Sequence, residues 1–153
     1  FEVPDLEDFT IPFGKARIAR PGKDVTIVSF GIGMTHALEA AETLAADGID
    51  AEVIDVRTLK PLDMKTIAES VKKTGRLITV SEGFGWCGVG REIAGQFMEY
   101  DFGDGSRGFD YLDGRPINMA ALDVPPPMSE PLENASIPSV ERIVEAVKQS
   151  VGQ

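Results

Sequence analysis

Cysteine and histidine are almost absent from this sequence of 153 residues. Cys87 and His36 are the single members of their types, so no internal disulfide can form and no cysteine-based zinc site can assemble. A chain without disulfides suits a reducing compartment, and we expect the bacterial cytoplasm, with the mitochondrial matrix as the alternative. No stretch approaches the ~20 consecutive apolar residues that a membrane-spanning helix needs.

Positive charge is also scarce. The chain has 15 Lys and Arg residues against 25 Asp and Glu, which gives a formal net charge of -10. Phosphate and anionic lipid repel such a chain, so we expect no nucleic acid and no membrane as partners, and a basic protein is the better electrostatic match. The first residues contain no initiator methionine, signal peptide or basic transit stretch. We interpret the chain as a piece of a longer protein.

The chain begins with a segment rich in proline and glycine, residues 1–23. Because proline fixes φ and removes a hydrogen-bond donor, this segment is predicted to be an extended arm or linker. Residues 24–153 are assigned to one domain, which suits the length of the chain.

From residue 24 onward, short β-branched runs alternate with segments of helical periodicity. The predicted strands are residues 25–30, 51–56, 76–80 and 116–121; the predicted helices are residues 34–46, the segment after Asp63, residues 89–100 and a last helix from about residue 138. This alternation is typical of right-handed crossovers between parallel strands. The predicted fold is an α/β domain with a parallel, doubly wound sheet.

A turn with two glycines, Gly31 and Gly33, lies where a dinucleotide-binding fingerprint would lie. Asp55 follows about 20 residues later, as ribose recognition requires, but the third glycine is replaced by His36. Glycines serve tight turns without any ligand, so a structural turn is favoured over a nucleotide site. His36 has no nucleophile motif or ligand cluster near it, and we favour an exposed or interface residue over a general acid or base.

The loop at residues 81–90 follows the third predicted strand, at the end of the sheet where open α/β proteins bind ligands. Phe84 and Trp86 are large apolar groups in a loop, which favours a contact with another subunit. Glu82 as a base and Cys87 as a nucleophile are the alternatives, but neither has a catalytic partner nearby in the sequence. We therefore predict a subunit interface at Phe84 and Trp86.

Four aspartates, Asp101, Asp104, Asp110 and Asp113, lie in a segment bounded by glycines. Their spacing departs from that of an EF-hand, so no metal site is predicted. A solvated surface and a docking site for a basic partner remain as interpretations, since clustered charge mainly raises association rate and specificity. Within this segment, residues 103–108 are predicted to form a flexible surface insertion.

The order of motifs resembles one family along nearly the whole chain. The matching stretches are residues 12–16, 23–30, 48–63, 69–80, 82–83, 88–90, 92–94, 109–113, 123–125, 127 and 137–148. The chain is similar to the C-terminal half of the beta subunit of the pyruvate dehydrogenase decarboxylating component, or of a close 2-oxo acid dehydrogenase relative. The resemblance implies a transketolase C-terminal-domain-like fold: a mostly parallel, doubly wound sheet in three α/β/α layers, with one antiparallel strand.

The resemblance also implies a role for the parent enzyme. That role is oxidative decarboxylation of pyruvate with acetyl transfer to a lipoyl group, using thiamine diphosphate and Mg held by other parts of the assembly. It implies that this chain supplies no catalytic, cofactor-binding or metal-binding residue and binds no cofactor alone. The alternatives are the same domain in a branched-chain 2-oxo acid, acetoin or other transketolase-like enzyme, or a free-standing nucleotide-binding regulatory module.

Partners follow from the same resemblance. They are an alpha subunit and a second beta subunit of an alpha2beta2 assembly, and the basic subunit-binding domain of a dihydrolipoyl acyltransferase. The docking carboxylates are expected at Asp113 and Asp110, joined by the terminal carboxylate if Gln153 ends the natural chain. Four features depart from the family pattern. Residues 84–87 replace a Trp-Pro-Gln-like run, the loop at residues 103–108 looks inserted, Arg115 adds a positive charge beside Asp113, and Met128 stands where an aromatic residue is common.

Overall fold

The computed structural model describes residues 10–152. In chain order, the elements are β1 (Arg17–Arg20), β2 (Val25–Ser29), α1 (Ile32–Ala46), β3 (Ala51–Asp55), α2 (Met64–Thr74), β4 (Leu77–Phe84), α3 (Val89–Glu99), a 3-10 helix (Gly108–Tyr111), β5 (Ile117–Ala121), α4 (Glu130–Ser136) and α5 (Val140–Val151). The first nine residues of the predicted arm, and Gln153, lie outside the described residues. None of the described helices is both long and apolar enough to cross a membrane.

One sheet organises the described chain, with the strand order β1-β3-β2-β4-β5. The pairs β2–β3, β2–β4 and β4–β5 are parallel, whereas β1 pairs with β3 in the antiparallel sense. The predicted mostly parallel, doubly wound sheet with one antiparallel strand is confirmed.

Helices cover both faces of the sheet. On one face, α1 and α5 bury Leu44 and Ile143 against strand residues such as Ile27. On the other face, α2 and α3 bury Ile67 and Phe97 against a second apolar cluster. Successive strand residues point to opposite faces, so β2, which is buried along its whole length, carries apolar residues on both faces. Its two polar residues, Thr26 and Ser29, are hydrogen-bonded within the core. The three-layer α/β/α arrangement is therefore also confirmed.

The ends of α2 are set by local chemistry. Asp63 accepts a hydrogen bond from the backbone N–H of Thr66 at 3.3 Å, which makes it the N-cap that the sequence predicts. The same carboxylate accepts from the backbone N–H of Ala16 at 3.1 Å, so it also fixes the approach to β1. Gly75 ends the helix in the left-handed region, with φ of 69°, where glycine has no steric penalty.

Three elements differ from their sequence-based expectations. Strand β1 lies within residues 1–23, the predicted arm: its residues are extended, and they also pair with β3. Strand β4 continues through Phe84, which pairs with Ala121 after a register shift, although residues 81–84 were predicted to lie in a loop. Helix α4 follows the proline run and buries no residue, so it leaves no apolar periodicity to detect.

Candidate functional site

Exposed apolar side chains gather at the carboxyl end of the parallel strands, in the segments that follow β2, β3, β4 and β5. We call this the carboxyl-end surface; its residues are Ile32, Leu59, Phe84, Trp86, Leu122, Val124, Met128 and Leu132. Trp86 is 79% exposed and Phe84 is 43% exposed. Contiguous exposed apolar surface usually marks an interaction site. The two residues that the sequence predicts for an interface therefore lie at the same edge of the sheet as several other exposed apolar residues.

The loop that carries Trp86 is held by close packing at its ends. A side chain at Gly90 would place Cβ only 2.1 Å from Oδ1 of Asn118, so only glycine lets α3 begin so near β5. The hydroxyl of Thr79 donates to the same Asn118 oxygen at 2.9 Å. Cys87, the exposed free thiol of the loop, has a positive φ of 52°, a conformation that non-glycine residues adopt at a cost.

A crevice of about 270 Å³ opens within the carboxyl-end surface, between the ends of β4 and β5 and helix α4. Its lining includes Phe84, Leu122 and Val124 together with two carboxylates, Glu82 and Glu133, and no basic side chain. The two carboxylates would repel a diphosphate, and no basic side chain in the lining would offset this repulsion. The described residues also contain no cluster of three metal-ligating side chains. The crevice therefore does not fit thiamine diphosphate with Mg, and the expectation that this chain binds no cofactor stays a prediction.

The turn at Gly31 and Gly33 has a structural explanation. A Cβ at Gly33 would lie 2.5 Å from the Ser29 hydroxyl oxygen, and that hydroxyl donates to the carbonyl of Val80 at 2.9 Å. Asp55 accepts from the backbone N–H of Arg57 at 3.1 Å. These internal contacts already involve the residues that a nucleotide site would need. They favour the interpretation of Gly31 and Gly33 as a structural turn over a nucleotide-binding site.

His36 joins two helices within the chain. Its Nδ1 lies 3.0 Å from the carbonyl oxygen of Pro138, and since a carbonyl only accepts, Nδ1 carries the proton. The side chain is half-buried and anchors the start of α5 to α1. This contact is an internal one, whereas the sequence favoured an exposed or interface position.

The opposite end of the sheet is charged. The predicted docking residue Asp113 is 63% exposed at its side chain, and its Oδ2 accepts from Nη1 of Arg76 at 3.3 Å. Its backbone N–H donates to the carbonyl of Gly75 at 2.9 Å. A Cβ at Gly75 would lie 2.4 Å from Asp113 Oδ2. The end of α2 therefore holds an exposed carboxylate in a fixed place; we call its neighbourhood, with Arg76, Asp110 and Arg115, the amino-end surface.

Asp110 lies three residues before Asp113, in the 3-10 helix. Its carboxylate accepts from the backbone N–H of Arg107 at 2.7 Å, and the residue is exposed. The neighbouring Phe109 is 62% exposed, so an exposed apolar ring precedes this carboxylate in the sequence. Gln153, the third predicted docking residue, lies outside the described residues. These three assignments stay predictions.

The segment predicted as a flexible insertion is internally hydrogen-bonded. Asp101 accepts from the backbone N–H of Gly103 at 2.8 Å and forms an ion pair with Arg107 at 2.8 Å. Asp104 accepts from the backbone N–H of Ser106 at 2.9 Å. The hydrogen bonds from the hydroxyl and backbone of Ser106 hold the pKa of Asp104 below its usual value. These aspartates therefore close turns of the chain.

Lys72 fastens this segment to α2. Its Nζ lies 4.4 Å from the ring centre of Phe102 and 4.5 Å from that of Tyr111, a cation–π arrangement. A hydrogen bond between Lys72 and Tyr111 raises the pKa of the lysine and lowers the pKa of the phenol. The 3-10 helix that carries Asp110 is thus attached to the same helix that positions Asp113.

The sequence reasoning missed an ion pair between a buried carboxylate and a half-exposed lysine. The Glu52 side chain is 2% exposed, and its Oε2 lies 2.5 Å from Nζ of Lys73; it also accepts from the backbone N–H of Gly22 at 3.1 Å. Burial raises the pKa of Glu52, but the hydrogen bonds, led by that from Lys73, outweigh it and hold the pKa below 4.5. The signal was a charged residue inside a buried strand, where a partner is required.

Comparison with known proteins decides the family. Residues 14–143 match the family described as transketolase, C-terminal domain. The chain belongs to this family. It is 53% identical over 148 residues to the pyruvate dehydrogenase E1 component subunit beta of Rhizobium meliloti, which covers 97% of this chain and 31% of that protein.

Two further relatives extend the comparison. The mitochondrial pyruvate dehydrogenase E1 component subunit beta of Homo sapiens is 42% identical over 154 residues, covering 99% of this chain and 41% of that protein. A solved split gene transketolase, described as an inactive beta4 tetramer, matches with a TM-score of 0.75 and 30% identity, over 98% of this chain and 46% of that one. This member of the transketolase C-terminal domain family thus spans between 31% and 43% of the length of the curated relatives.

Proposed function

We propose that this chain is the C-terminal assembly and docking domain of the beta subunit of a thiamine-diphosphate-dependent pyruvate dehydrogenase. The observation that carries the proposal is the 53% identity with a beta subunit of that enzyme across 97% of this chain. The parent enzyme decarboxylates pyruvate oxidatively and transfers the acetyl group to a lipoyl group. When bound, the cofactor supplies the carbanion chemistry, and this chain assembles the protein around it.

The carboxyl-end surface is the proposed subunit interface. Phe84 and Trp86 lie within it, together with the other exposed apolar residues that define it. Subunit interfaces are enriched in aromatic side chains and depleted of charge at their centres. We assign it to the alpha subunit and the second beta subunit of an alpha2beta2 assembly. The tetrameric state named for the related split gene transketolase supports self-assembly in proteins with this domain.

The amino-end surface is the proposed docking site for the basic subunit-binding domain of a dihydrolipoyl acyltransferase. Asp113 and Asp110 are exposed carboxylates, and they belong to a chain with a net charge of -10. Such charges steer a basic partner and raise its association rate. Gln153 joins them if its carboxylate ends the natural chain.

The parent enzyme is proposed to work in the bacterial cytoplasm, with the mitochondrial matrix as the alternative. The bacterial relative from Rhizobium meliloti supports the first, and the relatives named as mitochondrial support the second. Nucleic acid and membrane are not proposed as partners, because the chain carries a net charge of -10.

Reconstitution tests the enzymatic part. A beta subunit that contains this chain is combined with an alpha subunit, thiamine diphosphate and Mg, and reductive acetylation of a lipoyl domain is measured. Pyruvate is expected to be the preferred substrate. Preference for branched-chain 2-oxo acids would assign the domain to that enzyme instead, and turnover by the isolated 153-residue chain would overturn the assembly role. Tight NAD binding by the isolated chain in calorimetry would favour the regulatory nucleotide-binding module.

A further inference from the structure

A cleft of about 340 Å³ adjoins Asp113 at the amino ends of β4 and β5. Leu77 and Ile117, the first residues of these strands, contribute apolar lining; Arg76, Arg115 and Ser150 contribute polar groups. The cleft therefore combines two guanidinium groups with apolar walls, on a chain in which carboxylates outnumber basic residues.

Arg76 is held in this cleft by two hydrogen bonds. Its Nε donates to the carbonyl oxygen of Ser150 at 2.8 Å, and its Nη1 donates to Oδ2 of Asp113 at 3.3 Å. A guanidinium group has five N–H donors in a fixed fork, so donors remain for another acceptor. These bonds also tie the end of α5 to the proposed docking carboxylate.

Arg115 supplies the second cation. It is exposed and forms no ion pair with another residue in the described part of the chain. Asp113 offers one carboxylate to Arg76, and its Oδ1 accepts no hydrogen bond from a described residue. Arg76 and Arg115 carry two positive charges and Asp113 carries one negative charge, so this group has a net charge of about +1. A partner with only basic side chains here would be repelled.

We propose that this cleft binds an acidic side chain of the docking partner, beside the basic group that Asp113 engages. The proposal rests on the docking role proposed above. Arg76 and Arg115 would then hold a carboxylate, for which the fork of arginine is well suited, while Asp113 Oδ1 accepts from the partner's cation. The partner's cation would pair with Asp113, and its carboxylate would pair with the two arginines. Two pairs of opposite polarity fix the position of the partner and disfavour partners whose contact surface is entirely basic.

The position of the cleft favours a protein partner over a small anion. Open α/β sheets bind small ligands at the carboxyl ends of their strands, whereas this cleft lies at the amino ends of β4 and β5. It is also continuous with Asp113, since Arg76 contributes to both. A protein surface that approaches Asp113 therefore reaches Arg115 as well.

The test is the direction in which the affinity for the partner changes when the charge of Arg115 is reversed. Arg115→Glu makes the surface more acidic, so a uniformly basic partner would bind more tightly, whereas the proposed pairing predicts binding weaker by about 5-fold or more. Affinity of the acyltransferase subunit-binding domain for the assembled enzyme is measured by calorimetry. Lys65→Glu is the matched control, because this exposed lysine near the start of α2 changes the net charge equally. Equal melting temperatures confirm that each variant is folded.

The outcomes separate the cleft from the docking role. Weakening by Asp113→Asn together with tightening by Arg115→Glu would leave the docking role standing and overturn the cleft. Weakening by Arg115→Glu alone would support the cleft and overturn the role of Asp113, and no change in either variant would overturn both. Reversal of one partner carboxylate to arginine is expected to restore binding to Arg115→Glu. If inorganic phosphate inhibited binding of the subunit-binding domain more than chloride does at equal ionic strength, the cleft would be a small-anion site and the proposal would be wrong. If Arg115→Glu abolished self-association of the enzyme, the cleft would be a contact between its own subunits, which would also overturn the proposal.

Discussion

The two ends of the same sheet present opposite chemistry. The carboxyl end exposes aromatic and aliphatic side chains around Trp86, whereas the amino end exposes charged side chains around Asp113, which is itself paired with Arg76. Apolar surface supports stable association because its burial releases water, whereas exposed charge mainly sets association rate and specificity. A single domain can therefore separate a lasting subunit contact from an exchangeable docking contact.

Near the amino end of the sheet, the buried carboxylate of Glu52 is paired with the half-exposed Lys73. Breaking this pair should have the largest effect on stability, because Glu52 would stay buried. In Lys73→Met, Glu52 stays buried without its cation. We expect the free energy of unfolding to fall by about 2 to 3 kcal/mol, at or below the lower limit for a buried pair that loses one partner, because solvent already reaches the half-exposed Lys73. Urea denaturation followed by circular dichroism measures this change. Retention of full stability would show that Glu52 does not need Lys73.

The pH dependence of this effect has a definite sign. Because the pKa of Glu52 is lowered from 4.5, its stabilisation is present above pH 4.5 and is lost as the pH falls through the lower pKa of the folded state. The difference between the wild-type chain and Lys73→Met should therefore be largest near neutral pH and shrink in acid. Unfolding curves across this range check the expectation, and a difference that grows in acid would contradict it.

The carboxyl end should respond to loss of its most exposed aromatic ring. Trp86→Ser in the assembled enzyme is expected to weaken subunit association by about 2 kcal/mol, roughly 30-fold, because aromatic anchors dominate interfaces. Sedimentation velocity over a dilution series measures the change. Met98→Ser is the control, since Met98 is also exposed but lies near the end of α3, away from the carboxyl-end surface.

Docking at the amino end should be weaker and more sensitive to salt. Asp113→Ala is expected to reduce affinity for the acyltransferase subunit-binding domain by about 5-fold at low ionic strength and less at high salt, where surface charges are screened. Calorimetry at several salt concentrations measures both features. An affinity equal to that of the wild type at low salt would remove Asp113 from the docking site.

The smallest effect is expected for an exposed pair at the same end of the sheet. Lys148 and Asp47 lie 2.7 Å apart, with both side chains more than a third exposed. Lys148→Met should change the free energy of unfolding by less than about 1 kcal/mol, because solvent already screens both charges. Measured beside Lys73→Met, it separates the effect of burial from the loss of one lysine charge. A loss as large as that of Lys73→Met would contradict the distinction.

Much of the fold could be predicted because its periodicity is local. The run of β-branched residues in β2 and the Asp63 cap of α2 can be recognised from neighbouring residues. Strand β1 lies in a segment that is predicted to be an arm because it is rich in proline and glycine, and only pairing with β3 shows that the strand belongs to the sheet. Helix α4 has no buried residue, so apolar periodicity does not reveal it; its signals were Ser129 at the N-cap, a proline in the first turn and the acidic residues Glu130 and Glu133.

The sequence by itself determined the alternation of strands and helices and the acidic net charge. It also singled out Trp86 and Asp113 as candidate contact residues. Their meaning depends on neighbours that are distant along the chain. Only the tertiary structure joins Glu52 to Lys73, Arg76 to Asp113 and Ser150, and the scattered exposed apolar residues into one surface. The physical reason is that parallel strands bring all their carboxyl ends to one edge and all their amino ends to the other. Residues far apart in sequence then share one chemical environment.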